Sequence, residues 1–114
     1  MTNYKDIKNK KITIIGLGSS GLESAKLSNY MGAKVFASDS SKKLSVNENA
    51  FHLMETEHIP VETGKHSNRI YDADLWVVSP GVPKSSSIIK LAQKKGIPIY
   101  SELEFASWFT KAPI

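Results

Sequence analysis

Lys11-Ile12-Thr13-Ile14-Ile15-Gly16-Leu17-Gly18-Ser19-Ser20-Gly21-Leu22 decides how the rest of the chain is read. A β-branched apolar run ends at a glycine, a G-x-G-x-x-G follows, and a helix-compatible stretch begins. That order predicts strand, tight turn, helix. Gly16 would allow the turn, Gly18 would let a phosphate approach the backbone, and Gly21 would let the helix pack closely on the strand. The amides of Ser19, Ser20 and Gly21 would then lie at a helix N-terminus, where free N–H groups and the positive dipole end favour an anion. The competing reading is a turn required only for packing.

Outward from that turn, the chain alternates. Residues 11–16 read as a first strand, apolar on both sides of the pleat, as in a sheet covered on both faces. A first helix is predicted over 20–31, with Leu22, Ala25, Leu27, Tyr30 and Met31 as its apolar positions, Ser28 and Asn29 interrupting them, and Gly32 as the stop. A second strand over 34–38 leads to Asp39-Ser40-Ser41. An acid about 20 residues beyond the glycine turn, at the end of the second strand, is placed to bind a ribose. The competing reading is a turn-forming Asp, and agreement with the strand and the glycine turn favours the ligand role.

Ser45-x-x-Glu48 has the spacing of a capping box. Val46, Ala50, Phe51, Leu53, Met54 and Glu57 follow at helical spacing, and Pro60 closes the element. Val61-Glu62-Thr63 reads as a third strand before a polar loop, Gly64-Lys65-His66-Ser67-Asn68. The loop lacks the G-x-x-x-x-G-K-[ST] of an ATP-binding turn, and His66 reads as a solvated loop histidine. No His/Asp/Glu spacing predicts a metal site.

The apolar run 74–78 is a fourth strand ending in Ser79-Pro80-Gly81-Val82-Pro83, a rigid turn with an exposed hydroxyl and a free Gly81 amide. If strands one and four are neighbours, this turn faces the glycine turn across a crevice. Residues 87–95 form a further helix with Ile88, Leu91 and Ala92 inward. A short fifth strand covers 97–100, where Pro98 fits an edge. Ser101-Glu102-Leu103-Glu104 opens a last helix carrying Phe105, Trp108 and Phe109, with both glutamates favoured there by the helix dipole. Five strands alternating with helices predict an α/β fold: a Rossmann-like open parallel sheet with helices on both faces, in a single domain.

Composition narrows the function classes. The 114 residues suffice for one core, with 40% hydrophobic and 23% charged residues and a net charge of +4. The lysines are dispersed, with no arginine stripe or interleaved stacking aromatics, so no nucleic-acid partner is expected. There is no cysteine for disulfides, thiolate metal sites or thiol catalysis. No run approaches the ~20 apolar residues of a membrane span. The apolar run after the N-terminal lysines is too short for a signal peptide, and a cytoplasmic location is expected. Residues 1–10 read as a polar lead-in anchored by Tyr4 and Ile7. The apolar Ala112-Pro113-Ile114 reads as the start of a further strand, making the chain one domain of a larger enzyme.

Gly16-Leu17-Gly18-Ser19-Ser20-Gly21, Asp39-Ser40, Ser79-Pro80-Gly81-Val82-Pro83 and Ser101-Glu102-Leu103-Glu104-Phe105 together resemble the N-terminal domain of Mur ligases, and within them the branch that adds D-glutamate. The resemblance runs from about residue 11 to 114. It implies a domain over 1–114 holding the UDP end of UDP-N-acetylmuramoyl-L-alanine, with central ATP-binding and C-terminal amino-acid-binding domains lying outside this chain. Gly18, Ser19, Ser20 and Gly21 match positions along the diphosphate. Asp39, Ser40 and Ser41 match the uracil and ribose end, and Ser79, Pro80 and Gly81 the opposite wall. Some relatives carry an arginine at Ser41, a charge that Lys42 or Lys43 would have to replace. The implied reaction activates the substrate carboxylate with ATP as an acyl phosphate, which the amine of D-glutamate attacks. ATP and Mg are implied for the full-length enzyme, no cofactor for this domain, and a monomer at full length. This fragment alone is expected to be inactive. The alternatives are an NAD-binding domain of a dehydrogenase or regulatory module, the N-terminal domain of another Mur ligase, or a stand-alone interaction domain exposing Phe105, Trp108 and Phe109.

Overall fold

Five parallel strands run through the molecule: β1 (Lys11–Ile15), β2 (Lys34–Asp39), β3 (Val61–Thr63), β4 (Leu75–Val78) and β5 (Ile99–Ser101). Between them lie α1 (Ser19–Tyr30), α2 (Leu44–Thr56), a 3-10 turn (Asn68–Tyr71), α3 (Ser87–Lys94) and, last, α4 (Glu102–Ser107). This is a computed structural model that describes residues 6–109. The strand order is β3-β2-β1-β4-β5, the α/β sheet expected from the sequence. The chain moves outward from β1 to β3, crosses back, and continues from β4 to β5. Order therefore reverses between β1 and β4, which are hydrogen-bonded neighbours in the register Ile12↔Leu75 to Ile15↔Val78. Such a reversal opens a crevice beyond the carboxyl ends of the two strands.

Alternation along the strands divides the core in two. Ile12, Ile14, Val35, Ala37 and Val77 pack with Ala25, Val46, Ala50, Leu53 and Phe105 from α1, α2 and α4, and with Trp108 just beyond α4. Ile15, Phe36, Trp76 and Val78 pack on the other face with Ile70, Ile89, Ala92 and Ile97. Trp76 is fully buried, and its indole N–H donates to the Ile70 carbonyl at 2.7 Å.

Several helix readings need correction. The buried residues of α1 are Gly21, Ser24, Ala25 and Ser28, an i, i+3, i+4, i+7 stripe of small side chains. Leu22, Leu27 and Met31 are only partly buried, and Tyr30 is 87% exposed. The reason is the close approach of α1 to β1, where a Cβ on Gly21 would lie 2.0 Å from the Gly16 carbonyl oxygen. Ser28 is tolerated inside because its hydroxyl donates to the Ser24 carbonyl, and Asn29 reaches the Glu57 carbonyl at the end of α2. In α2 the capping box does not form. Lys43 is the N-cap, Ser45 lies inside the helix, and no side chain caps it. Phe51 and Met54 are exposed, leaving Val46, Ala50 and Leu53 as the packing stripe. In α3 Ala92 is buried and Ile88 partly buried against the core as expected, Ile89 is buried as well, and Leu91 is exposed.

At the termini, Ile7 is buried as expected and Asn9 N–H donates to the Gly32 carbonyl. The readings placed on Tyr4 and on Ala112-Pro113-Ile114 fall outside the described residues. Phe105 and Trp108 are buried, with ring centroids 5.4 Å apart, so the exposed aromatic cluster of the interaction-domain reading is absent there.

Candidate functional site

The glycine turn takes the shape its spacing predicts. Gly16 adopts φ +100°, a left-handed conformation natural to glycine, and a Cβ there would lie 2.6 Å from the Ser79 Cβ. The first glycine thus both makes the turn and lets the Ser79 turn approach across the strand reversal. Gly18 is the N-cap of α1 without a side-chain cap, and a Cβ on it would meet nothing within 4 Å. The space before that backbone is open. The first helical bond runs from Leu22 N–H to the Gly18 carbonyl. The amides of Ser19, Ser20 and Gly21 make no hydrogen bond among the described residues. Three unpartnered donors at the positive end of a 12-residue helix form an anion-accepting cradle.

A cleft of about 200 Å³ lies beside this cradle, lined by Gly16, Gly18, Asp39, Ser40, His66, Ser79, Gly81 and Val82. It brings together Gly18, Asp39, Ser40, Ser79 and Gly81 from three separate segments. Its scale suits a nucleoside portion of a ligand rather than a whole nucleotide sugar, since clefts for drug-sized molecules span roughly 300–1,000 Å³. Asp39 is structurally committed as well as exposed to the cleft. One carboxylate oxygen accepts from Leu17 N–H at 2.7 Å and the other from Ser41 N–H at 2.7 Å. The acid thereby ties the glycine turn to the loop after β2, and each oxygen keeps lone-pair capacity for a further donor. Ser41 itself accepts from Lys43 N–H. The Lys42 side chain runs over Gly64, where a Cβ would come within 2.5 Å of its Cε.

Other expected residues stand apart from the cleft. Ser20 and Pro80 line a neighbouring apolar hollow with Leu27, Glu102 and Phe105. The Ser20 hydroxyl donates to Glu102 Oε1 at 2.7 Å, while Glu102 Oε2 is buried without a hydrogen-bond partner. Glu102, at 7% exposure, is therefore a buried strut between α4 and the start of α1 rather than a solvated dipole cap. Ser101 does cap α4, accepting from Glu104 N–H. The Gly81 amide is not free: it makes a long 3.4 Å contact with Ser79 Oγ.

His66 is the residue that sequence reasoning missed. It is a half-buried wall of the cleft, not a solvated loop side chain. Its Nδ1 lies 2.7 Å from Ser38 Oγ, which also lies 2.7 Å from Glu62 Oε2. The same Glu62 oxygen accepts from Ser67 N–H at 2.8 Å. Burial pushes the Glu62 carboxyl up, but hydrogen bonds from Ser67 and Ser38 outweigh this and hold it below its ordinary value. Burial holds the His66 imidazole below its ordinary value, against the opposing pull of Asp39 and Glu62. Its place after a strand was visible in the sequence, but its partners are set only by strand pairing. Ser38 and Glu62 are paired in the β2–β3 register, and His66 follows the carboxyl end of β3, on the ligand side of such sheets.

Comparison with known proteins shows the family and the fold. Residues 10–101 match the family described as Mur ligase MurD-like, N-terminal domain. The UDP-N-acetylmuramoylalanine–D-glutamate ligase of Chloroherpeton thalassium is 43% identical, over 97% of this chain and 24% of its own length. That of Chlorobium limicola is 44% identical over 96% of this chain and 23% of its own length. Among solved structures, the UDP-N-acetylmuramate-alanine ligase MurC of Thermotoga maritima superposes with a TM-score of 0.69 at 26% identity, over 85% of this chain and 22% of that one. The L-tryptophan dehydrogenase of Nostoc punctiforme shares the fold, with a TM-score of 0.62 at 17% identity, over 85% of this chain and 27% of that one. The chain thus spans about a quarter of the length of the ligases it matches. The matched stretch spans the glycine turn, the strand reversal and the Ser-Pro-Gly turn, and the chain belongs to the MurD-like N-terminal domain family of the Mur ligases.

Proposed function

We propose that this domain holds the uridine diphosphate end of UDP-N-acetylmuramoyl-L-alanine, as the substrate-binding domain of a ligase that adds D-glutamate in peptidoglycan synthesis. The observation that carries the reading is the trio of unpartnered amides at Ser19, Ser20 and Gly21, facing the open backbone of Gly18. They would donate to the diphosphate oxygens. Asp39, Ser40 and Ser41 would line the ribose and base end, and Ser79, Pro80 and Gly81 the opposite wall. The ligase names of the relatives support the substrate class. In this reading the domain works in the cytoplasm, within a monomeric enzyme. Among the described residues no helix is long and apolar enough to cross a membrane.

The ligase chemistry belongs to an ATP-dependent acyl-phosphate route at full length. For ATP and magnesium, the sequence holds no G-x-x-x-x-G-K-[ST] turn, and the described residues include no cluster of three metal-ligating side chains. We therefore assign this chain no step through either. Its contribution is binding and orientation of one substrate, and the purified chain should release no phosphate from ATP in the presence of D-glutamate and the UDP substrate.

Amide NMR titrated in parallel with UDP-N-acetylmuramoyl-L-alanine, UDP and NAD tests the reading. Shifts at residues 19–21, 39–41 and 79–81 with both UDP compounds, and none with NAD, are expected. The same amides responding to NAD alone would replace it with a dinucleotide-binding domain.

A further inference from the structure

We propose that His66 reads the base in this cleft: its Nε2 offers a lone pair to the ring N–H of uracil and so favours uridine over cytidine nucleotides. The inference rests on the uridine diphosphate reading above and adds a specificity-determining residue to it.

One hydroxyl proton decides the state of the ring. The Ser38 hydroxyl lies between Glu62 Oε2 and His66 Nδ1, 2.7 Å from each. It can donate to only one of them. Glu62, held ionised by its hydrogen bonds from Ser67 and Ser38, can only accept. The Ser38 proton therefore goes to Glu62, and the Ser38 lone pair must be met by an N–H on Nδ1. A neutral imidazole carries one ring proton, so Nε2 is bare. It makes no hydrogen bond among the described residues, and it is not one of the buried unpartnered atoms. An acceptor is thus fixed on the ring that walls the cleft, by groups that lie behind it.

Position supplies the second half. Along the carboxyl edge of the sheet the glycine turn follows β1, Asp39 ends β2, and His66 follows β3. A nucleotide with its phosphates on the glycine turn and its ribose at Asp39 directs its base toward the β3 loop. Asp39 from β2 and Glu62 from β3 are the acids that act on the ring, and Lys42 crosses the adjacent Gly64. Uracil carries a proton on N3. Cytosine carries a lone pair there, which would oppose that of Nε2. One neutral hydrogen bond gained against one lone-pair clash is expected to separate the two nucleotides on the order of tenfold in Kd.

Two measurements on the unaltered chain decide it. Long-range 1H–15N spectra at pH 7.5 should show His66 protonated at Nδ1 and bare at Nε2. Titrations with UDP and CDP, followed at the amides of residues 19–21, should give the tighter Kd for UDP. His66→Ala should weaken UDP and, by removing the opposing lone pair, leave CDP no weaker or slightly tighter, closing the gap. A ring protonated at Nε2 would overturn the inference, and so would equal Kd values for the two nucleotides. Equal binding with shifts at residues 19–21 would leave the nucleotide site standing. The absence of shifts with either nucleotide would overturn the site and the inference together.

Discussion

The glycine turn and the rim formed by β2 and β3 face the same cleft but are held by different means. The turn is made of backbone. Gly16 carries a left-handed φ, Gly21 lies against the Gly16 carbonyl, and the stripe of small residues on α1 lets the helix approach β1. Gly16 and Gly21, which meet inside it, belong to one short stretch of sequence. The rim is made of side chains: Ser38, Glu62 and His66 are linked through one hydroxyl across 28 residues. The first arrangement fixes amide positions with almost no chemical choice. The second sets which ring nitrogen carries a proton. A site that holds a diphosphate needs the former, and a site that distinguishes bases needs the latter.

That contrast can be broken at either end. The largest effect is expected at Gly21→Ala, whose methyl would be driven into the Gly16 carbonyl at 2.0 Å. Backbone on both sides leaves little room to relax, so the loss should reach or exceed the upper end of the about 1–3 kcal/mol usual for overpacking. Urea unfolding would measure it. Gly18→Ala is the matched control. Its Cβ meets nothing and its φ is −70°, so stability should stay within about 0.5 kcal/mol while UDP-induced amide shifts weaken. Loss of stability at Gly18→Ala equal to that at Gly21→Ala would show that the two glycines do not divide these roles.

A smaller effect is expected on the rim. Ser38 is fully buried, and Ser38→Ala would remove the partner shared by Glu62 and His66 without adding volume. The cost should be about 1–3 kcal/mol, the range for leaving buried polar groups unpaired. The His66 tautomer should also lose its preference.

The smallest effect is a pH dependence. His66 sits below its ordinary value of 6.5 in the folded chain, so the unfolded chain binds the proton more readily. Its contribution to stability is full above pH 6.5 and is lost as pH falls through the folded value. Glu62, below its ordinary 4.5, adds a contribution that is present above that pH and lost as pH falls through its own folded value. Thermal melts should therefore show Tm falling as pH is lowered from 7.5 toward 4, with the upper part of the fall reduced in His66→Ala. A flat profile in both chains would remove the rim as a titrating unit.

The same division explains what could be read from the residues. The strand–turn–helix unit, the alternation of elements and the crevice between β1 and β4 all follow from local patterns, and the strand ends fall within a few residues of their expected positions. His66 was illegible because its meaning depends on the pairing of Ser38 with Glu62, which exists only once β2 and β3 are aligned. The inward face of α1 was misread for a different reason. A search for large apolar residues selects Leu22, Leu27 and Tyr30, whereas close packing on the strand selects Gly21, Ala25 and two serines. In α2 the Ser-x-x-Glu spacing falls two residues too late, because Lys43 already occupies the cap. Glu102 looked like a surface residue until α4 folded back on α1.

The margins of the sheet have a consequence for how the chain behaves at high concentration. β3 and β5, the two edge strands, have only three residues each. Each is approached through a proline, Pro60 before β3 and Pro98 two residues after Gly96, whose carbonyls are spent inward on Ala37 N–H and Trp76 N–H. A proline has no N–H to offer an incoming strand, and three residues give such a strand little to pair with. The sheet therefore ends in borders that resist templating by another copy, and polymerisation through edge-to-edge strand addition is disfavoured by the fold itself.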